Sequence, residues 1–389
     1  MFIFNPLQDN FQNFPIISPF EVRFKALIQK EKRVAYFYEN PDNSTFRYRV
    51  YNMIEALSTF EDISASFFHN GDLDSLDKVI DHCDYFVICR SRYSEKLSRA
   101  ILKAKFKGIP VIYDVDDIIF NIDYVHLIVN TLDQDLKDPN VWDFWFAYIS
   151  RQEATLKLCD RSITTNSFIA NKLREKTGKP VSIIPNFLNQ EQINISNKIY
   201  QQKLDNKFSR DDSIYIGYFS GTPSHNRDFE IVASPLVNLL NEDPRIRVMI
   251  VGYLNIKGEL GNYSSRFDIY PLQHFLKLQE LIGKVELNIV PLQDNEFTNC
   301  KSELKYFDAG IVGTVSIATP IFSYRQSIND GNNGFLANSY EWYEKIRNVI
   351  DNLDQYSEFA QTAYNDSLTK FSWLNYPNVI RNVIFNTED

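Results

Sequence analysis

The chain lacks several of the signatures that settle a protein's class at once. Its 389 residues hold four cysteines. Cys83, Cys89, Cys159 and Cys300 lie far apart and form no C-x-x-C pair. The five histidines do not cluster near them, so free thiols in a reducing compartment are expected rather than disulfides or zinc. No apolar run approaches the ~18 residues that a membrane span needs. The first twenty residues are aromatic, but Asn and Pro interrupt them and no basic start precedes them, which makes a poor signal peptide. No run of Lys and Arg appears, and the net charge is −9, so nucleic acid is not an expected partner. A Ser-His-Asp triad, a Walker loop, a G-x-G-x-x-G fingerprint and a solenoid-length repeat are also missing.

What is present is an α/β rhythm. Apolar residues make up 44% of the chain and charged residues 23%, a globular balance in a length that suits two domains. Short apolar runs at 34–38, 63–68, 85–89, 111–113, 162–165 and 181–184 predict strands covered on both faces. Stretches between them, such as 49–59 and 94–106, carry apolar residues at helical spacing. That alternation predicts a parallel, doubly wound sheet over 1–188. Residues 189–212 are polar and read as a linker or short solvated helix. The rhythm restarts at 214–219, 248–251, 267–269, 285–290 and 315–318, giving a second α/β domain over 213–370. A closing amphipathic stretch, 371–389, is expected to return to the first domain. Two such domains leave a cleft suited to a small ligand.

Four segments carry candidate chemistry. In IGYFSGTPSHNRDF (216–229) a strand ends in a Ser-Gly-Thr turn. Gly221 lets a ligand approach the backbone, Thr222 adjoins it, Arg227 suits a phosphate, and His225 is a pocket candidate. An ordinary strand-to-helix turn is the bland alternative.

The second segment runs from Leu287 to Leu336. A helix is expected to open at Lys301 and Ser302 and to aim its N-terminus at an anion. Lys301 and Lys305 are candidate diphosphate partners. Asp308, on the same face as Lys301, could accept the hydroxyls of a ribose. A solvated Glu303–Lys305 pair is the alternative.

The third is PVIYDVDDIIF (110–120). Asp114, Asp116 and Asp117 follow a buried strand. Three carboxylates suit a hard cation, but an acceptor-side role is the stronger expectation, with Asp116 or Asp117 as base or orienting group. The alternative is that one of them caps a helix. The fourth is STFRYR (44–49), where Arg47 and Arg49 face an acidic acceptor or donor phosphates, or else form surface ion pairs.

Taken together, PLQDNEFTNCKSELKYFDAGIVGTVSIAT, SYRQSINDGNNGFL, SGTPSHNRDF, the IPNF at Ile184–Phe187 and NPDNSTFRYRVYNMIEAL resemble glycosyltransferase family 4. The likeness is nearest to bacterial members that build surface polysaccharides. It implies a GT-B fold, with two Rossmann-like domains facing across a cleft. It implies a hexosyl- or deoxyhexosyl-transferase that moves a sugar from a nucleotide-diphosphate donor to a glycan or lipid-linked glycan hydroxyl, with retention. Domain closure around the donor would exclude water. No metal is expected, because basic side chains such as Arg227 and Lys301 take its place on the diphosphate. Asp308 falls at the second acid of the family's E-x7-E motif, and Cys300 replaces the first, with Glu303, Glu296 or backbone amides near Lys301 as substitutes. Tyr324 falls near the base-binding side, and packing explains it equally well. A cytoplasmic location follows, at the inner face of the membrane if the acceptor is lipid-linked, and peripheral membrane contact and homo-oligomerisation stay open. A sugar-nucleotide epimerase and a catalytically inactive binding scaffold are the alternatives.

Overall fold

The computed structural model of the chain describes residues 1–7, 14–42, 44–221 and 225–385. Among the described residues, twelve strands form two separate sheets, all parallel. The first contains β1 (Lys32–Tyr38), β2 (Ile63–Phe68), β3 (Tyr85–Cys89), β4 (Val111–Asp114), β5 (Arg161–Thr164) and β6 (Val181–Ile183), in the order β2-β1-β3-β4-β5-β6. The second contains β7 (Ile214–Ser220), β8 (Ile246–Gly252), β9 (Phe267–Tyr270), β10 (Leu287–Val290), β11 (Val315–Ala318) and β12 (Phe335–Leu336), in the order β12-β11-β10-β7-β8-β9.

Strands such as Val111–Asp114 and Leu287–Val290 are buried along their whole length. Helices cover both faces, so the strands read as unbroken apolar runs instead of alternating ones. On one face of the first sheet, Phe37, Phe86, Val111 and Tyr113 pack with Leu97, Ile101 and Leu156. On the other face, Val34, Tyr36, Val87 and Ile112 pack with Met53, Leu57, Ile380 and Ile384.

In each sheet the strand order reverses once, between β1 and β3 and between β7 and β10, where Ala35 pairs with Phe86 and Ile216 with Leu287. At such a reversal the connections leave in opposite directions and open a crevice beyond the strand ends. Gly252 ends β8 at φ 98°, and a Cβ there would lie 1.9 Å from the Ser220 carbonyl oxygen. Only glycine lets β8 end this close to β7.

The polar stretch 189–212 is not an open linker. It contains the 16-residue helix Gln190–Asp205, which buries Gln192, Ile193, Ser196, Ile199, Tyr200 and Lys203. Asn189 caps this helix by accepting from the Gln192 amide at 2.8 Å. The chain also crosses between halves at both of its ends. Phe2 and Phe4 enter the core of the second half. Helix Pro377–Phe385 lies on the first half, where Arg161 donates to the Val383 and Ile384 carbonyls, each at 2.6 Å. At the crossing, Leu188 and Ser372 form a parallel bridge: the Leu188 amide donates to Phe371 at 2.8 Å and the Trp373 amide to Leu188 at 3.0 Å. No helix among the described residues is long and apolar enough to cross a membrane.

Candidate functional site

A cleft of about 330 Å³ lies between the two reversal points. The first half lines it with Asp42, Ser44, Thr45, Arg47, Tyr48 and Asp116. The second lines it with Phe219, Ser220, Gly221, Phe275, Asn288, Lys305 and Asp308, among others.

The β1 exit runs into a π-helical turn, Arg47–Tyr51, in place of a regular helix start. Such turns are frequent at functional sites because they re-aim consecutive side chains. Arg47 and Tyr48 line the cleft. Arg47 donates to the Tyr48 hydroxyl at 2.7 Å and to Gln192 Oε1 at 3.2 Å. Its guanidinium also stacks 4.6 Å from the Phe275 ring centroid. The Tyr48 hydroxyl in turn donates to Asp308 Oδ2 at 3.0 Å, and Gln192 Nε2 donates to Asp308 Oδ1 at 2.6 Å. Asp308 is 5% exposed, and burial pushes its carboxyl above the usual range against the pull of Arg47.

Arg49, next in sequence, points into the sheet. It clamps Asp114 through Nε and Nη2 at 2.9 and 3.0 Å, with side-chain exposures of 0% and 2%. Burial lifts Asp114 to about 6, and Arg49 opposes that rise. Arg49 also donates to the Ile184 carbonyl at 2.6 Å. With both partners buried and paired, neither is open to an acceptor, which corrects the acceptor-side expectation for Arg49 and Asp114. The reason is geometric, because a bidentate fork satisfies both partners.

Each of the three clustered carboxylates has its own cation. Asp114 has Arg49. Asp116 has Arg90, at 3.2 Å, and accepts from Thr45 Oγ1 at 3.1 Å. Asp117 meets Lys301 of the second half at 3.3 Å and accepts its neighbour's amide, from Ile118, at 2.9 Å. Among the described residues there is no group of three metal-ligating side chains. Arg90 has a left-handed backbone, φ 41°, which is strained for a residue with a Cβ and is held by the hydrogen bond its amide donates to the Asp114 carbonyl at 2.8 Å. Asp116, 16% exposed, is the member of the trio that lines the cleft.

On the second half, His225 Nδ1 bonds to Asp228 Oδ2 at 2.8 Å, and Asp228 Oδ1 accepts from the Gln293 amide at 3.0 Å. Burial holds His225 below its ordinary value, and the positive charges of Lys305 and Lys301 lower it further. Lys305 is half-buried over the Tyr218 ring, 5.4 Å from its centroid. Burial brings Lys305 down to about 8, with Asp228 opposing and Lys301 adding to the fall. Lys301, Lys305 and His225 therefore share one field at the carboxyl end of the second sheet.

The expected helix start is displaced. The helix is Leu304–Gly310, seven residues long, with Glu303 at its N-cap and a separate short helix, Glu296–Asn299, before it. Lys301 and Ser302 precede the helix. Ser302 accepts from Asn186 Nδ2 at 2.9 Å and so helps to join the halves. A buried acid at the N-cap offsets the helix's positive end, so the positive character here comes from the lysines. Burial pushes Glu303 up to about 7.

Arg227 does not join Lys301 around one anion. Its Nε donates to Asp133 at 2.9 Å and its Nη1 to the Asn130 carbonyl at 2.8 Å, both on the first half. The partner lies 94 residues away in sequence, so no local spacing reveals it. Cys300 is fully buried among apolar residues of the first half, beside Phe297, and burial raises its thiol. It offers the cleft no acceptor. Glu296 pairs with Lys172 at 3.3 Å, away from the cleft lining. Tyr324 is 2% exposed and is a core residue by burial. Gly221 lines the cleft, and Thr222 lies outside the described residues. Sequence reasoning missed Tyr48, Gln192, Arg90 and Asp228. Of these only Gln192 had a local signal: Ile193, Ile195, Ile199 and Tyr200 recur at helical spacing across the segment read as a linker.

No family model and no curated protein matches the chain. Solved structures match it along nearly its whole length. HepE from Anabaena, in complex with UDP and glucose, aligns at a TM-score of 0.60 and 14% identity over 91% of this chain and 99% of that one. Sucrose-phosphate synthase from Thermosynechococcus elongatus gives 0.61 and 12% over 91% and 99%. A glycosyltransferase from Rickettsia africae gives 0.60 and 12% over 92% and 100%. Two six-stranded parallel sheets with facing reversal points are the GT-B fold, and the chain has that fold.

Proposed function

We propose that the protein is a glycosyltransferase that moves a sugar from a nucleotide-diphosphate donor to a hydroxyl of a glycan or glycolipid acceptor. One observation carries this reading. Lys305 sits in the wall of the cleft, where burial disfavours its charge, with Lys301 and His225 in the same field. An ammonium in that position gains from a dianionic neighbour, and fixed positive charge stabilises a departing diphosphate. The GT-B fold supports the reading, and so does the UDP-glucose held by HepE.

In this reading Lys305 and Lys301 meet the diphosphate, and no divalent ion is needed there. Asp308 exchanges the Tyr48 hydroxyl for those of the ribose. Asp116, facing the cleft, orients the acceptor hydroxyl. Retention of configuration and a role in surface-polysaccharide synthesis belong to the same proposal.

A thermal-shift series with UDP, ADP, GDP and dTDP tests it. At least one nucleotide raises the melting temperature of the wild type, because binding to the folded state stabilises it by mass action. The same nucleotide has little effect on Lys305→Gln. A wild type that none of the four stabilises overturns the reading.

A further inference from the structure

Four buried side chains close a hydrogen-bonded ring at the cleft. Arg47 Nη2 donates to the Tyr48 hydroxyl at 2.7 Å, and that hydroxyl donates to Asp308 Oδ2 at 3.0 Å. The other oxygen of Asp308 accepts from Gln192 Nε2 at 2.6 Å. Gln192 Oε1 accepts from Arg47 Nη1 at 3.2 Å, which completes the circuit. The members come from three segments: the π-helical turn Arg47–Tyr51, helix Gln190–Asp205 and helix Leu304–Gly310. None of the four is more than 5% exposed.

The ring differs from a plain structural joint. Arg47, Tyr48 and Asp308 line the cleft, so it stands in the wall where a ligand arrives. It also leaves a donor over: Arg47 Nε is buried and has no hydrogen-bond partner among the described residues. A network that only joined the halves would satisfy its members, because a buried donor without a partner costs free energy.

The ring fills Asp308. Each carboxylate oxygen already holds a donor from the protein. A ligand that bonds to Asp308 displaces those donors and has to offer as many. Two hydroxyls on neighbouring carbons do so, one to each oxygen. Lys305 stands one helical turn before Asp308 on the same face and lines the same cleft. A molecule with a vicinal diol at one end and phosphate beyond it matches both residues.

We infer that Tyr48 and Gln192 are a built-in lock on the donor site, opened by the 2′,3′-diol of a ribonucleoside diphosphate. The inference rests on the transferase reading above and deepens it, because it names the sugar of the nucleotide and a restraint on its binding. In the empty protein Tyr48 and Gln192 hold Asp308. Binding exchanges them for the ribose hydroxyls, so nucleotide affinity is lowered by whatever the ring contributes to the empty state. A 2′-deoxyribose brings one hydroxyl fewer and leaves a buried carboxylate short of a donor. Sites of that kind reject the analogue that lacks the hydroxyl.

Calorimetry on the full chain tests the lock, with UDP, ADP and GDP each beside its 2′-deoxy counterpart. The wild type binds its preferred ribonucleotide at least about tenfold tighter than the deoxy form. Tyr48→Phe binds that ribonucleotide about fivefold tighter than the wild type does, because one net hydrogen bond is no longer broken on binding. Gln192→Leu opens the ring from the other side and also tightens binding. Cooperative urea transitions show that the variants are folded. A merely structural tyrosine would leave the affinity unchanged or lower it. Affinity equal to or below that of the wild type in the folded variants overturns the lock. Equal affinity of the wild type for the ribo and deoxy forms, or a preference for dTDP in the thermal-shift series, also overturns it. The transferase reading survives each of these outcomes. It falls, and the lock with it, if no nucleotide stabilises the wild type.

Discussion

Tyr48 and Asp308, 260 residues apart in sequence, meet in the cleft through a hydrogen bond of 3.0 Å. The pair ties the first half to the second at the point where the donor's ribose is proposed to bind. Tyr48→Phe removes the donor and leaves a buried carboxylate short of one bond. An unsatisfied group of that kind costs about 1–3 kcal/mol. Urea denaturation of the variant should show a loss of that size.

Lys305→Gln should abolish nucleotide stabilisation while leaving the melting temperature without ligand near that of the wild type. Burial disfavours the charge of Lys305, so its loss does not harm the fold.

The same lysine sets a pH dependence. Its pKa in the folded protein is about 8, below the ordinary lysine value. It carries charge below that pH and loses it above. Affinity for whichever nucleoside diphosphate stabilises the wild type, measured by calorimetry, should therefore fall as pH rises through about 8, and Lys305→Gln should flatten that part of the profile.

Arg227→Ala separates two assignments. If the side chain is a clasp to Asp133 and Asn130, the variant keeps the wild-type nucleotide affinity and loses only about 1 kcal/mol or less, because the pair is about one-third exposed. A large loss of nucleotide affinity would restore Arg227 to the phosphate site.

Asp114→Asn should be the most damaging of these changes. It leaves the Arg49 guanidinium buried at 0% exposure opposite a neutral amide. Breaking a buried pair from one side costs about 3–5 kcal/mol. Denaturation midpoints should show it, and the double variant Arg49→Met/Asp114→Leu should recover part of the loss.

Much of the fold was legible because buried parallel strands advertise themselves. The runs at 63–68, 85–89 and 315–318 coincide with β2, β3 and β11. The two-residue β12 was too short to leave a pattern. The helix Gln190–Asp205 reads as a linker or short solvated helix because Gln192, Ser196 and Lys203 are buried polar residues. Their partners, such as Asp308 and the Gly313 carbonyl, are more than 100 residues away. The site divides in the same manner. Lys305, Asp308, Asp116 and Gly221, which the sequence singles out, all line the cleft. The direction of Arg227, the pairing of Arg49 with Asp114 and the entry of Tyr48 depend on contacts between distant segments, which spacing does not encode.

The Leu188–Ser372 bridge has a mechanical meaning. Two chain segments pass between the halves side by side and hold each other by backbone hydrogen bonds. A single strand would let the halves swivel freely, whereas a ribbon of two resists torsion and bends most easily across its own plane.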